Sequence, residues 1–170
     1  MRLTDPRRFG AVIWTDLDPA DHALLESLGP EPLDDGFTGN YLYTQLQTRK
    51  TAIKQAIMNA NLVVGVGNIY ANESLFRTGI HPQYPANKLS QKKCEKLVAE
   101  IKETLTDALK AGGSSLRDFS AVNGKSGYFQ QTYFVYARMD KPCKACQTLI
   151  KCIRLGQRST FYCEQCQRRK

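Results

Sequence analysis

Cys143-Lys-Ala-Cys146 and Cys163-Glu-Gln-Cys166 form two C-x2-C turns separated by sixteen residues. Each turn aims two thiolates at one point, and the intervening residues are enough for a β-hairpin to bring the second pair back to the first. Four soft, anionic sulfurs in a tetrahedral set favour zinc over hard cations. Two disulfides are the other use of this pattern, and a basic chain expected in a reducing compartment argues against them. A four-cysteine shell leaves no open coordination position, so the single Zn2+ is expected to be structural and to hold the hairpin. Cys152 inside the hairpin and Cys94 upstream read as small buried or half-buried residues without a metal role.

The charge distribution agrees with this reading of the tail. The chain carries a net charge of +8 over 170 residues. Residues 138–170 hold nine Lys or Arg against Asp140 and Glu164, a net +7, and the other 137 residues contribute +1. Basicity concentrated on a metal-pinned module is the pattern of a surface that meets a polyanion. A solubilising tail is the plainer account of a charge run, but here the run coincides with a fold-forming motif. No apolar run approaches the roughly 18 residues of a membrane span. The opening Met1-Arg2 stretch is charged and unlike a signal peptide, so a cytoplasmic, nucleoid-associated location is expected, with no membrane partner.

Upstream of the cysteines the pattern is helical. Tyr41, Leu42, Gln45 and Leu46 share one segment, and Ala52, Ile53, Ala56 and Ile57 the next. The glycine-bearing break Asn61 to Gly67 separates them from a helix that opens near Asn68 and closes at Thr78-Gly79. Ser90 caps a longer helix whose buried stripe is Leu97, Val98, Ile101, Leu105, Ala108 and Leu109. Ahead of these, Ala11 to Trp14 reads as strand material too short to make a sheet alone. Pro19 with Ala23, Leu24, Leu25 and Leu28 reads as a short helix stopped by Gly29-Pro30, in a stretch from Asp16 to Asp35 without Lys or Arg. Ser114 to Gly127 is polar and aperiodic, a loop suited to ligand contact. Phe129, Tyr133, Phe134 and Ala137 suit a short helix or turn docked on the bundle.

Several residues suit contact with phosphates. Arg158 lies in the expected hairpin tip Leu155 to Thr160, where a guanidinium fork can meet phosphate oxygens, or it is a solvated arginine. Asn68 opens a helix whose first amides are free to hold an anion, and its side chain can equally serve as an N-cap. Arg49, Lys50 and Lys54 on the preceding helix add positive charge, or simply face solvent. Arg7-Arg8-Phe9-Gly10 sets an aromatic ring between cations; on the residues alone Phe9 reads as core before it reads as a wedge between base pairs.

Taken together, these residues resemble the bacterial formamidopyrimidine-DNA glycosylase family, which removes oxidised purines such as 8-oxoguanine. The pieces that carry the likeness are Asp5 to Gly10, Leu28 to Leu33, Lys50 to Lys54, Val63 to Glu73, Gly79 to Pro82, Gly127 to Gln131 and Gly156 to Cys163, in family order along the whole chain. The resemblance implies a mainly α fold: a helix-two-turn-helix bundle over 16–137 with a lesion loop at 114–128, then a four-cysteine β-hairpin zinc finger over 138–170. Residues 1–15 would be the remnant of an N-terminal β-sandwich. It implies double-stranded damaged DNA as partner and a monomer. Asn68 and Arg158 would hold the phosphates flanking a flipped nucleotide, with Arg158 also active in elimination. Arg7 and Phe9 would fill the gap, Arg8 would lie near the backbone, and Ile69 and Tyr136 would line the base pocket.

Family enzymes start with Pro-Glu, whose proline amine forms a Schiff base before β- and δ-elimination, whereas this sequence starts Met1-Arg2. The chain by itself is therefore expected to bind DNA without forming the covalent intermediate. Smaller departures are Ala137, Gln147 and Cys152. A non-enzymatic zinc-ribbon module and the sister glycosylase for oxidised pyrimidines are the competing assignments.

Overall fold

The computed structural model describes residues 10–112 and 133–169. Four helices, α1 (Gly39–Leu46), α2 (Ile53–Ile57), α3 (Asn68–Thr78) and α4 (Gln91–Lys110), precede a hairpin of β1 (Lys151–Leu155) and β2 (Arg158–Tyr162).

α1 and α4 start where the sequence supplies a side-chain cap. The Thr38 hydroxyl accepts from Tyr41 N at 3.1 Å, and the Ser90 hydroxyl accepts from Lys93 N at 3.4 Å. α3 stops at Gly79, whose left-handed backbone (φ 72°) lets its amide reach back to the last turn. α4 presents Leu97, Val98, Ile101 and Leu105 to a core shared with Leu42, Leu46, Ile57 and Leu75 from the other three helices. The approach of α1 to α4 needs Gly39, because a Cβ there would lie 2.6 Å from Glu95 Cα. An extended ladder ties the start of α2 to the segment before α4: Ile53 N donates to Tyr84 O at 2.8 Å and Ala86 N to Thr51 O at 2.9 Å.

α3 is the axis of the molecule. Ala71 to Phe76 are all buried, so this helix is covered on every side by α4, α2 and the hairpin. Burying Asn72, Glu73 and Ser74 demands partners. Ser74 Oγ donates to Tyr70 O at 2.7 Å, and the other two hold neighbouring elements, as described below.

β1 and β2 pair antiparallel with Lys151 opposite Tyr162 and Leu155 opposite Arg158. The connection is the two-residue turn Gly156-Gln157, both at positive φ (54° and 60°), the turn whose twist matches a hairpin. The finger then docks on the end of α3 through Gln167. Its buried side chain donates to Ile80 O at 2.9 Å and accepts from Cys163 N at 3.0 Å.

Two expectations fail near the start. Gly10 to Thr15 form no strand, and Trp14 is 95% exposed. A lone extended segment has no ladder partner to satisfy its backbone. The stretch after Pro19 is a single 3-10 turn, Pro19–Asp21, followed by turns, not a helix. Leu24, Leu25 and Leu28 stay exposed, so no buried face repays helix formation over so short a segment. Arg7, Arg8, Phe9, Phe129 and the 114–128 loop lie outside the described residues.

Two of the three small sequence departures sit where an L side chain is strained: Ala137 at φ 55° and Gln147 at φ 64°. Left-handed backbone costs a non-glycine residue roughly 1–2 kcal/mol, partly offset because glycine has more freedom in the unfolded chain. Ala137→Gly and Gln147→Gly are each expected to raise stability by about 0.5–1 kcal/mol. Denaturant midpoints of the zinc-loaded protein check this; a lower midpoint in both variants contradicts it.

Candidate nucleic-acid interface

The four thiols of Cys143, Cys146, Cys163 and Cys166 lie within 4.8 Å of one another, with separations of 3.9 Å (143 to 166), 3.4 Å (146 to 163) and 3.5 Å (146 to 166). A tetrahedron of sulfurs each about 2.3 Å from zinc has edges of about 3.8 Å, so the donor set and spacing fit that metal. Cys143 and Cys163 are buried and pack with Val135, Ile150 and Phe76, which makes the metal site part of a small core shared between finger and α3. Cys152, the third departure, is half-buried on β1, and Cys94 is buried on α4; neither is near the cluster.

The hairpin is latched to the bundle by one cation. Lys54, on α2, is 1% exposed, and its ammonium donates to Asn68 Oδ1 (2.6 Å), Thr160 Oγ1 (2.7 Å) and Ser159 O (3.1 Å). Burial pushes its pKa down to about 8, with nearby Cys152 opposing and Arg158 adding to the shift. Asn68 completes the latch by donating its amide to Ser159 O at 3.1 Å. One turn on, Asn72 donates to Asn68 O at 2.6 Å and accepts from Phe161 N at 2.8 Å. α2 and β2, distant in sequence, are thereby fixed around the start of α3.

That start is open. Gly67, not Asn68, is the N-cap, and a Cβ on Gly67 would meet nothing within 4 Å. Asn68 is the first helical residue, so its side chain is free to bind across to the hairpin instead of capping its own helix. Arg158, next to the latched Ser159, is exposed. A second buried group holds the connection to the finger. The Glu73 carboxylate accepts from the backbone amides of Phe134 (2.8 Å), Val135 (3.0 Å) and Tyr136 (2.8 Å). This turn carries Tyr136, whose ring meets Tyr133 and Phe161 edge-on and shares a half-buried cluster with Ile69.

A helical unit and a four-cysteine finger fixed at one helix start have known counterparts. The model of the formamidopyrimidine-DNA glycosylase H2TH domain matches residues 28–120, and that of the zinc finger found in FPG and IleRS matches 140–169. The chain belongs to the formamidopyrimidine-DNA glycosylase family. Curated formamidopyrimidine-DNA glycosylases from Methylobacillus flagellatus and Neisseria meningitidis are 60% and 54% identical over 98% and 99% of the chain. The chain spans 60% and 61% of their lengths. The crystal structure of the MutM (Fpg) protein from Thermus thermophilus superposes with a TM-score of 0.89 at 35% identity, covering 96% of this chain and 62% of that one. A Lactococcus lactis Fpg in complex with DNA containing an abasic site superposes with a TM-score of 0.79 at 34% identity, covering 86% of this chain and 54% of that one. In this member of the formamidopyrimidine-DNA glycosylase family, as in the zinc-finger model it matches, the cysteine cluster holds one structural zinc.

Against the sequence expectations, the formamidopyrimidine-DNA glycosylase fold brings Asn68 and the Arg158 strand together, and Ile69 with Tyr136. Lys54 differs: it is a buried latch, not a solvent-facing cation, because its ammonium has three partners inside the protein. Arg49 and Lys50 lie in the link between α1 and α2, not on a helix, since the ladder to 84–87 draws that link out straight. Lys50 is exposed and Arg49 half-buried. Sequence reasoning missed Asn72, Glu73 and Gln167. The available signal for the first two was three polar residues in a row in the middle of a helix that the chain wraps on all sides.

Proposed function

We propose that this chain is the DNA-gripping part of a bifunctional base-excision glycosylase that removes oxidised purines and nicks the resulting abasic site by β,δ-elimination. The single observation that carries the reading is the latch at the start of α3. The Asn68 amide holds Ser159 O at 3.1 Å, so an open helix N-terminus and the strand bearing Arg158 share one rigid anion-binding edge. In this proposal Asn68 and Arg158 take the phosphates on either side of a flipped nucleotide, and Arg158 assists elimination. Ile69 and Tyr136 wall the base pocket, with Arg49 and Lys50 contributing charge. Lys54 acts indirectly, by holding Asn68. Arg7, Arg8 and Phe9 fill and flank the vacated stack, and the 114–128 loop closes on the base. Related L. lactis Fpg structures are complexes with Fapy-dG and abasic-site containing DNA, which supports damaged DNA as the partner; the proposed location is the nucleoid. The proposed divisions are a sandwich remnant at 1–15, the helical domain at 16–137 and the finger at 138–170, acting as a monomer.

A polypeptide of these 170 residues is expected to bind abasic-site duplexes without being trapped on them by borohydride, because the proline amine that forms the Schiff base is not among its residues. Binding should weaken with salt by about 0.9 log units of affinity per log unit of salt for each phosphate neutralised. Salt-independent binding removes the gripping role, and a borohydride-dependent crosslink shows that another amine serves as nucleophile.

A further inference from the structure

Between Asp35 and Glu95 the chain has seven Lys or Arg and one acid, Glu73, which is buried and fully engaged. Two of those cations are also used internally: Lys54 in the latch, and Arg77 in a 3.1 Å ion pair with Asp107. The other five are Arg49, Lys50, Lys88, Lys92 and Lys93; the fold gathers Arg49, Lys50, Lys88 and Lys93 at one edge, and Lys92 stands next to Lys93 in the first turn of α4. Arg49 O accepts from Asn87 N at 3.0 Å, which sets Lys88 beside Arg49 and Lys50. The Tyr84 hydroxyl donates to Lys88 O at 3.3 Å, and Lys93 Nζ stands 5.0 Å from the centre of the Tyr84 ring, which joins the first turn of α4 to the same edge. Lys50, Lys88, Lys92 and Lys93 are exposed. Among the described residues none of the five is within ion-pair distance of a carboxylate.

Five gathered cations, none of them in an ion pair among the described residues, repel one another, so an anion that spans the edge stabilises it. Lys92 and Lys93 add to this by standing in the first turn of α4, where the helix dipole disfavours positive charge. The edge is also continuous with the latch. Lys50 is four residues from Lys54, at most about 14 Å along the chain, and α2 between them touches the hairpin turn, where Gly156 packs on Gln55. A regularly charged polymer lying over the latch can therefore continue onto this edge. We propose that Lys88 and Lys92, with Lys50, form a second phosphate-binding track that holds the duplex flanking the lesion. The inference rests on the DNA-gripping reading above.

The test is the salt dependence of binding to abasic-site duplexes of two lengths by the parent protein and by a Lys88→Gln/Lys92→Gln variant. Both positions are exposed, and equal melting temperatures confirm that the variant folds. A duplex of about 24 base pairs covers the edge, whereas one of about eight reaches only about 14 Å to either side of the lesion. On the long duplex the variant is expected to lose up to about 1.8 from the slope of log affinity against log salt, 0.9 for each phosphate released. On the short duplex it should match the parent. An unchanged slope on the long duplex overturns the track and leaves the latch reading intact, and equal losses on both lengths overturn it too by showing a general charge effect. A parent protein that binds neither duplex overturns both readings.

Discussion

Stripping the metal with a chelator is expected to abolish tight DNA binding, and returning Zn2+ is expected to restore it. The reason is the size of the finger's core. Apart from the cysteines, its buried apolar residues are Ile150 and Tyr162, with Val135 supplied by the preceding turn and Phe76 lent by α3. So small a cluster does not offset the ordering of some thirty residues at about 1–2 kcal/mol each for the backbone. Zinc coordination, at roughly 10–16 kcal/mol in isolated fingers, is the dominant stabilising term. The helical core around Leu42, Leu75 and Leu97 is separate and should persist, so helix content is expected to fall little while affinity falls by orders of magnitude. Cys146→Ser should act in the same direction, since it removes a ligand. Affinity that survives verified metal removal would mean that the finger is not needed for the grip. Acid should act similarly, because each thiol must stay deprotonated to bind metal.

The second large effect is expected from Lys54→Met. Methionine keeps most of the side-chain volume but donates nothing, so Asn68 Oδ1 and Thr160 Oγ1 lose their short bonds inside the protein. Asn68 Oδ1 keeps a 3.4 Å contact with Asn72 Nδ2 and Thr160 Oγ1 still donates to Arg158 O at 3.3 Å, so the loss of the two short bonds, less the relief of no longer burying an ammonium, is expected to cost about 1–2 kcal/mol net. The hairpin then loses its tie to α2, and DNA affinity should fall well beyond the effect of Lys50→Met, which removes an exposed cation. Equal losses in the two variants would make Lys54 an ordinary contributor of charge. Proton titration gives a second readout. The folded protein releases the Lys54 proton near pH 8, and the unfolded chain releases it near 10.5. Between those values the unfolded chain holds more protons, so the contribution of this group to stability rises with pH. The stability of the parent relative to Lys54→Met should therefore grow from pH 8 to 10.5.

The finger was legible because its determinants are local: paired cysteines at fixed spacing, and a glycine at the first position of a two-residue turn. The cap at Ser90 and the stop at Gly79 were legible for the same reason. The latch was not, because it joins residues 54, 68, 72 and 159–161, and nothing in a local window distinguishes a lysine that turns inward from one that faces solvent. Lys54 sits at the start of a helix of five residues, too short for its period to announce a buried face. Glu73 was hidden similarly, since its partners are backbone amides sixty residues away that have no side-chain signature. At the other end, the strand and helix expected before residue 29 failed for want of a face to bury: their apolar residues are present, but Val12, Trp14 and Leu24 stay largely exposed.

If the latched edge recognises damaged duplex, the affinity of the zinc-loaded chain for an abasic-site duplex must exceed that for the same duplex intact. A missing base lowers the cost of opening the stack, so the flanking phosphates reach Asn68 and Arg158 more readily. Binding is expected to be at least about tenfold tighter to the abasic duplex, with the preference lost in Arg158→Ala. Equal affinity for the two duplexes, in a protein that otherwise binds DNA in a salt-dependent way, would contradict it.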